Sequence, residues 1–141
     1  MSKAIENLTA AQKFGMSIRP KVEGFPYLAE ALRKAGVTRN LWSLPSCQSI
    51  YHTKYGAVVQ QGIPLTSGTA DVAKFDKDAL IHALRLDQTG QSTFAEFLMS
   101  SWAAGVVGYD VDLENRKVTY YGTLGESYVE DYPAVDIGSK S

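Results

Sequence analysis

The feature that most constrains the fold is an internal repeat. When the sequence is compared with itself at an offset of 69 residues, eight identities appear between positions 25 and 64 without a gap, against about two or three expected by chance. They pair Phe25 with Phe94, Ala35-Gly36-Val37 with Ala104-Gly105-Val106, Leu44 with Leu113, Tyr51 with Tyr120, Gly56 with Gly125 and Pro64 with Pro133. The repeat predicts two units of the same structure within a chain of 141 residues.

Each unit is predicted to contain two helices followed by three strands. Apolar residues at helical spacing predict helices over 4–18, 25–35, 76–87 and 93–105. Thr93 and Glu96 form a capping-box pair at the start of the last of these. Gly36 and Gly105 are predicted as equivalent helix ends with positive φ, which glycine adopts at least cost. Strands are predicted over 37–44, 49–55, 57–61, 106–113, 117–121 and 127–132.

We therefore expect an α+β fold in which two α-α-β-β-β units are related by a pseudo-twofold axis. The strands are expected to be antiparallel, with the helices packed on the sheet. Residues 1–135 are expected to form a single domain, with the first unit over about 4–65 and the second over about 74–134, followed by a loose tail at 136–141.

Charged residues indicate which strand face is buried. Because ionised carboxylates are costly to bury, Asp110 and Asp112 should point away from the core. The alternate residues of that strand should then point inward, and so should their equivalents in the first unit. These inward positions are Val107, Tyr109, Val111 and Leu113, and Thr38, Asn40, Trp42 and Leu44.

The net charge of −1 hides an asymmetry between the two units. Residues 1–70 carry a net charge of +5 and residues 71–141 carry −6. The halves either dock within one chain or pair between the chains of a dimer, since complementary potentials fix orientation. Basic residues are spread along the sequence and the pI is near 6.1, which disfavours nucleic-acid binding. No stretch approaches the ~20 apolar residues of a membrane helix, and the N-terminus lacks a signal-peptide core, so we expect a cytoplasmic protein.

Several segments together resemble a known family. They are Ala35-Gly36-Val37, Gln88–Phe94 with Glu96-Phe97, Ala104-Gly105-Val106 followed by Tyr109–Leu113, and Val118–Gly122. The chain resembles the YbcV-like domain-of-unknown-function family over residues 25–135. Some members are labelled phage envelope protein. The resemblance implies no established activity, cofactor or catalytic residue.

The residues that carry chemistry in other proteins are sparse here. Cys47 and His52 would need spatial contact to act as nucleophile and base, and the alternative is a buried cysteine that packs as a small apolar residue. Asp110, Asp112 and Glu114 would face one way along a strand, but they lack the glycine and glutamate of a calcium loop, so a solvated strand face is the alternative. We expect no catalytic residue, no metal site and no cofactor.

One sheet face is the candidate binding surface. If all four helices cover one side, the other side presents an apolar area rimmed by charge, which often marks a contact site. Leu41, Ile50 and Tyr121 are predicted to form the apolar area, with Arg39 and Asp110 as rim charges and with His52 and Tyr121 nearer the centre. The alternative is a solvated face with ordinary exposed apolar residues.

Three functions remain open from the sequence. The first is a non-catalytic binding or interaction module, with a homodimer or another protein as its partner. The second is a small enzyme with a site between the units that uses His52 and nearby carboxylates. The third is a phage-derived structural or accessory protein, which rests on the family label.

Overall fold

Two helices followed by three strands occur twice in the computed structural model, which describes residues 2–138 of the protein. In the first unit the elements are α1 (Lys3–Ile18), α2 (Phe25–Lys34), β1 (Val37–Ser43), β2 (Gln48–Thr53) and β3 (Gly56–Gln61). In the second unit they are α3 (Lys77–Gln88), α4 (Phe94–Ala103), β4 (Gly108–Asp112), β5 (Lys117–Tyr121) and β6 (Ser127–Asp131). The predicted element order and α+β class are confirmed.

The six strands form one antiparallel sheet in the order β3-β2-β1-β4-β5-β6. The two units therefore meet where β1 pairs with β4. Beside this pair, Leu44 N donates to Val107 O at 3.0 Å, and its repeat equivalent Leu113 N donates to Thr38 O at 3.1 Å. Equivalent residues make reciprocal bonds, as a pseudo-twofold axis through the middle of the sheet requires.

Side-chain caps fix where three of the helices begin. Ser2 Oγ accepts from Ile5 N at 3.1 Å at the start of α1, and Asp76 Oδ1 accepts from Ala79 N at 3.0 Å at the start of α3. The predicted capping box of α4 is present, because Thr93 Oγ1 accepts from Glu96 N and Glu96 Oε1 accepts from Thr93 N. Each bond satisfies a backbone N–H that has no partner within the helix.

Helices α2 and α4 both end at the glycines that the repeat pairs. Gly36 has φ +92° and Gly105 has φ +85°. Their amides donate to the equivalent carbonyls of Arg33 and Trp102, each at 3.0 Å. The left-handed conformation lets the chain turn sharply from the helix into the first strand of its unit, β1 or β4. The predicted equivalence of these two helix ends is confirmed.

The core lies between the helices and one face of the sheet. Leu8 of α1 and Leu80 of α3 are almost fully buried, and the helix-covered face contributes three tyrosines with small exposed fractions. These are Tyr51, Tyr109 and Tyr120. No helix within residues 2–138 combines the length and apolar character needed to cross a bilayer.

One of the predicted inward positions, Thr38, is wrong, and another, Val107, is less buried than expected. Thr38 is exposed and Val107 is only half-buried, whereas Val37 and Val106 are 1% and 0% exposed. The register of β1 shifts between Val37 and Arg39, and such a bulge interrupts the alternation of faces. Trp42 lies on the helix-covered face as predicted, yet it remains partly exposed.

The chain after β6 stays close to the first unit over the described residues. Lys34 Nζ donates to Gly138 O at 3.2 Å, and Gly138 N donates to Asp136 Oδ1 at 2.8 Å. The remainder of the predicted loose tail, residues 139–141, lies outside the described residues.

Candidate functional site

The face of the sheet opposite the helices, here called the open face, carries three rows of cross-strand neighbours. The pairing registers of all six strands define these rows. The central row is Val59, Ile50, Leu41, Asp110, Thr119 and Val129. One flanking row is Ala57, His52, Arg39, Asp112, Lys117 and Asp131, and the other is Gln61, Gln48, Ser43, Gly108, Tyr121 and Ser127. All six predicted binding residues therefore lie on the open face.

The two halves of the open face differ in polarity. On the first unit, the central row is apolar: Leu41 and Ile50 are half-buried and Val59 is 57% exposed. On the second unit, the equivalent row begins with a carboxylate and a hydroxyl, Asp110 and Thr119, before Val129. The apolar side chains thus form a strip that is continuous over β1, β2 and β3.

The expected arrangement of centre and rim is wrong. Arg39 and Asp110 lie on the two central strands, β1 and β4, whereas His52 and Tyr121 lie on the neighbouring strands β2 and β5. Arg39 Nε donates to Asp110 Oδ1 at 2.9 Å, and Arg39 Nη2 lies 3.7 Å from Asp112 Oδ2. The order of the strands, which the sequence did not define, decides this placement. Half-exposed ion pairs of this kind add little stability.

The hollow beside His52 does not assemble a catalytic pair. It is lined by His52, Arg39 and Asp112, together with residues of β1 and of the β4–β5 turn. The Asp112 carboxylate accepts from Asn115 Nδ2 at 2.8 Å and from the amides of Glu114 and Asn115. The Asn115 side chain, above all, lowers the pKa of Asp112. Within the described chain, no hydrogen bond joins His52 to a carboxylate, because Arg39 stands between His52 and Asp112 in the row.

Cys47 is a packing residue, as the apolar interpretation held. It belongs to the buried core, and burial raises the pKa of its thiol. His52 is exposed on the open face, so the two side chains lie on different sides of the sheet. Among residues 2–138, no three His, Cys, Asp or Glu side chains are grouped so that they could hold a metal ion.

Most of the tyrosines near the C-terminus serve the core. Trp42, Tyr109, Tyr120 and Tyr128 follow one another across the helix-covered face, with ring centroids 5.7, 5.4 and 6.5 Å apart. Burial is the main cause that raises the pKa of Tyr109 and of Tyr120. These rings fill the space beneath α3 and α4, and Tyr121 alone of this group is exposed on the open face.

A second site, which the sequence did not reveal, lies at the end of α3. Here the α1–α2 connection, the last turn of α3 and β6 enclose a cleft of about 590 Å³. In it, the Glu130 carboxylate accepts from Arg85 at 2.6 Å, from Gln88 at 2.6 Å and from the Tyr128 hydroxyl at 2.7 Å. Burial raises the pKa of Glu130, but these hydrogen bonds outweigh it and the net pKa is lowered.

Asp87 is another of the four carboxylates that border this cleft. Burial raises its pKa, and the positive charge of Arg19 opposes the rise without forming an ion pair. An acidic residue in the last turn of a helix also faces the negative end of the helix dipole. That unfavourable placement is the one sequence signal that could have drawn attention to Asp87.

Most of the chain matches the model of a known protein family. The model of a protein family of unknown function, DUF1398, matches residues 16–131. Three mycobacterial relatives are each 54% identical over 136 residues, which cover 96% of this chain and 83% of the relative. They are the uncharacterized proteins Rv2012 and MT2067 of two Mycobacterium tuberculosis strains and Mb2035 of Mycobacterium bovis. None of these descriptions mentions a phage or an envelope. The chain belongs to the DUF1398 family of proteins of unknown function.

Proposed function

We propose that this protein is a non-catalytic interaction module that pairs with a second copy of itself through the open face. The observation that carries the proposal is the division of charge and polarity across that face. The first-unit half presents Arg39 and the apolar strip, whereas the second-unit half presents Asp110, Asp112 and Asp131 with Lys117 as the one base. Complementary halves of this kind favour a partner in which the halves are exchanged.

The register of the sheet defines how two copies would meet. A twofold axis parallel to the strands places the first unit of each copy over the second unit of the other. It sets Arg39 opposite Asp112 of the second copy, because these residues share one row on adjacent strands. The net charges of +5 and −6 in the two halves of the sequence also favour contact between the first unit of one copy and the second unit of the other.

The open face is large enough for a dimer contact. Six strands of about six residues span roughly 25 Å by 20 Å, which can supply most of the ~800 Å² that each partner buries in a standard interface. The apolar strip would leave water on pairing, and each Å² of apolar area removed contributes about 25 cal/mol. An antiparallel sheet tolerates one solvated face, so the measurement of association is decisive.

Sedimentation equilibrium tests the proposal. The wild-type protein is expected to associate as a dimer with a dissociation constant in the micromolar range, and a Leu41→Glu, Tyr121→Glu double variant is expected to be monomeric. An Ile63→Glu, Leu124→Glu variant is the matched control, because these apolar residues are 87% and 85% exposed and lie outside the open face. A monomeric wild type at high concentration, or equal association of all three proteins, would overturn the proposal.

A charge exchange adds a sharper test. Arg39→Asp should weaken the dimer because it sets two acids opposite each other, and the added Asp112→Arg substitution should restore association. If the double substitution leaves the dimer as weak as the single one does, this orientation of the two copies is wrong. A cytoplasmic location and a phage-derived role remain predictions, which cell fractionation and genomic context would check.

A further inference from the structure

We propose that the cleft at the end of α3 binds a small organic amine with an apolar group, and that Asp87 supplies the counter-charge for the ammonium. This inference is independent of the open face, since no residue of the three open-face rows other than Val129 and Asp131 borders the cleft. The cleft is bounded by the segment 19–27, by α3 residues up to Gln88, and by the segment 128–135.

The shape of the cleft suits a small molecule. Its volume of about 590 Å³ lies within the usual range of small-ligand sites. Its position is fixed, because Glu23 N donates to Gln88 O at 2.7 Å and joins the α1–α2 connection to the end of α3. Phe25 and Tyr132 pack edge to face with centroids 5.1 Å apart and form part of an apolar wall.

The charges of the lining favour a cation. Four carboxylates and two guanidinium groups border the cleft. Arg85 is already bound to Glu130 at 2.6 Å, and Glu130 receives three hydrogen bonds. That ion pair therefore acts as a fixed part of the wall. Asp87 has no ion-pair partner among residues 2–138.

The position of Asp87 strengthens the preference. The carbonyl end of α3 carries a partial negative charge that adds to the carboxylate. A half-buried carboxylate gains from a partner that replaces the water it has lost, and burial already raises the pKa of Asp87. The positive charge of Arg19, which also borders the cleft, partly opposes this rise but forms no ion pair with Asp87.

The aromatic wall explains why the amine should carry an apolar group. An ammonium near the faces of tyrosine or phenylalanine rings is stabilised by their quadrupoles, and the attached apolar group removes ring surface from water. An anion of the same shape would meet Asp87, Glu23 and Asp131. The site should therefore distinguish ligands of equal size by charge.

Titration with three probes of matched shape tests the inference. The probes are 2-phenylethylamine, 2-phenylethanol and phenylacetate. Binding of each probe is measured by isothermal calorimetry and by changes in the amide chemical shifts. The amine is expected to bind in the millimolar range and to shift amides of the segments that line the cleft. Asp87→Asn should lower the affinity for the amine about tenfold, because the substitution removes the counter-charge of the ammonium. Asp78→Asn, an exposed acid in the first turn of the same helix, should leave binding unchanged.

The opposite outcomes would overturn the inference. One is that the amine causes no amide shifts, and another is that the alcohol or phenylacetate binds as tightly as the amine does. A third is that Asp87→Asn binds the amine with the affinity of the wild type. A thermal melt confirms that each variant is folded. Tyr132→Leu provides a second variant, because it keeps an apolar side chain but removes an aromatic ring. It should weaken binding of the amine more than binding of the alcohol. The Leu41→Glu, Tyr121→Glu variant should bind the amine as the wild type does, whatever its oligomeric state.

Discussion

Leu41 and Asp110 face each other across the β1–β4 pair, and they occupy the same position of the two repeat units. The pseudo-twofold axis of the sheet therefore passes between them. At this one point the two units present a leucine and a carboxylate side by side. The backbone positions of these two residues are equivalent in the repeat, but their side chains differ. This difference gives the open face its apolar half and its acidic half.

The two helix-ending glycines should differ in their tolerance of alanine. Both have positive φ, which costs an alanine of order 1 kcal/mol. At Gly36, an added Cβ would meet only the flexible side chain of Lys54, whereas at Gly105 it would lie 2.6 Å from Lys74 O and 2.7 Å from Phe75 Cα. We expect Gly105→Ala to lower the melting temperature clearly more than Gly36→Ala, as measured by circular dichroism.

Gly125→Ala is the control for that comparison. Gly125 has φ +85° but open space around its Cα, so its substitution reports the conformational cost alone. Gly36→Ala should resemble it. If all three variants melt together, the close approach of the Lys74 backbone does not contribute to stability.

Glu30 should make the protein more sensitive to acid. Glu30 is 7% exposed. Its carboxylate accepts from two nitrogens of Arg33 at 2.9 and 2.7 Å and lies 3.6 Å from Arg116. The Arg33 hydrogen bond is the main cause that lowers the pKa of Glu30. A lowered pKa means that its contribution is present above the unfolded value of about 4.3 and is lost as the pH falls through the folded value.

Glu30→Gln should therefore lower the melting temperature by a few degrees at pH 7 and flatten its decline on acidification. Glu114→Gln, an exposed acid in the β4–β5 turn, is the control and should leave both unchanged. An identical acid dependence of Glu30→Gln and wild type would show that the buried ion pair is not coupled to folding.

Asp87 should have the opposite effect on stability. Burial raises the pKa of this carboxyl group, so its ionisation is more costly in the folded than in the unfolded state. The cost is present at pH 7 and disappears as the pH falls below the unfolded value. Asp87→Asn is expected to raise the melting temperature at neutral pH, with no gain at low pH. A destabilised variant at pH 7 would mean that Asp87 has a structural partner that outweighs its burial.

Asn40 should be required for the position of Trp42. The buried Asn40 accepts from Trp42 Nε1 at 2.6 Å and donates to Ile50 O at 3.2 Å, and the indole stacks on Tyr109. Asn40→Leu leaves both groups without their partner, which should cost about 1–3 kcal/mol of unfolding free energy.

In a Trp102→Phe background, acrylamide should quench the fluorescence of Trp42 less than it quenches that of Trp102 in the Trp42→Phe protein.

The Asn40→Leu substitution should then increase the quenching of Trp42. Denaturant unfolding of both single variants and of the Asn40→Leu, Trp42→Phe double variant gives the coupling between them. Additive effects would show that the two side chains are stabilised independently.

Local chemistry let the sequence determine the elements and their repetition. The capping pair of Thr93 and Glu96 and the helix ends at Gly36 and Gly105 depend on residues a few positions apart. Propensity and hydrogen bonding act at that range, so these features were predictable, and so was the face on which Leu41, Ile50, His52 and Tyr121 lie.

Tertiary structure alone decided which segments meet. The sequence did not indicate that β1 and β4 are the central strands, so it placed Arg39 and Asp110 at a rim when they pair at the centre. The bulge at Thr38 arises from the pairing of β1 with β2. The cleft of Asp87 joins segments 19–27, 85–88 and 128–135, and burial and charge in it depend on contacts between residues far apart in the chain, which no local pattern records.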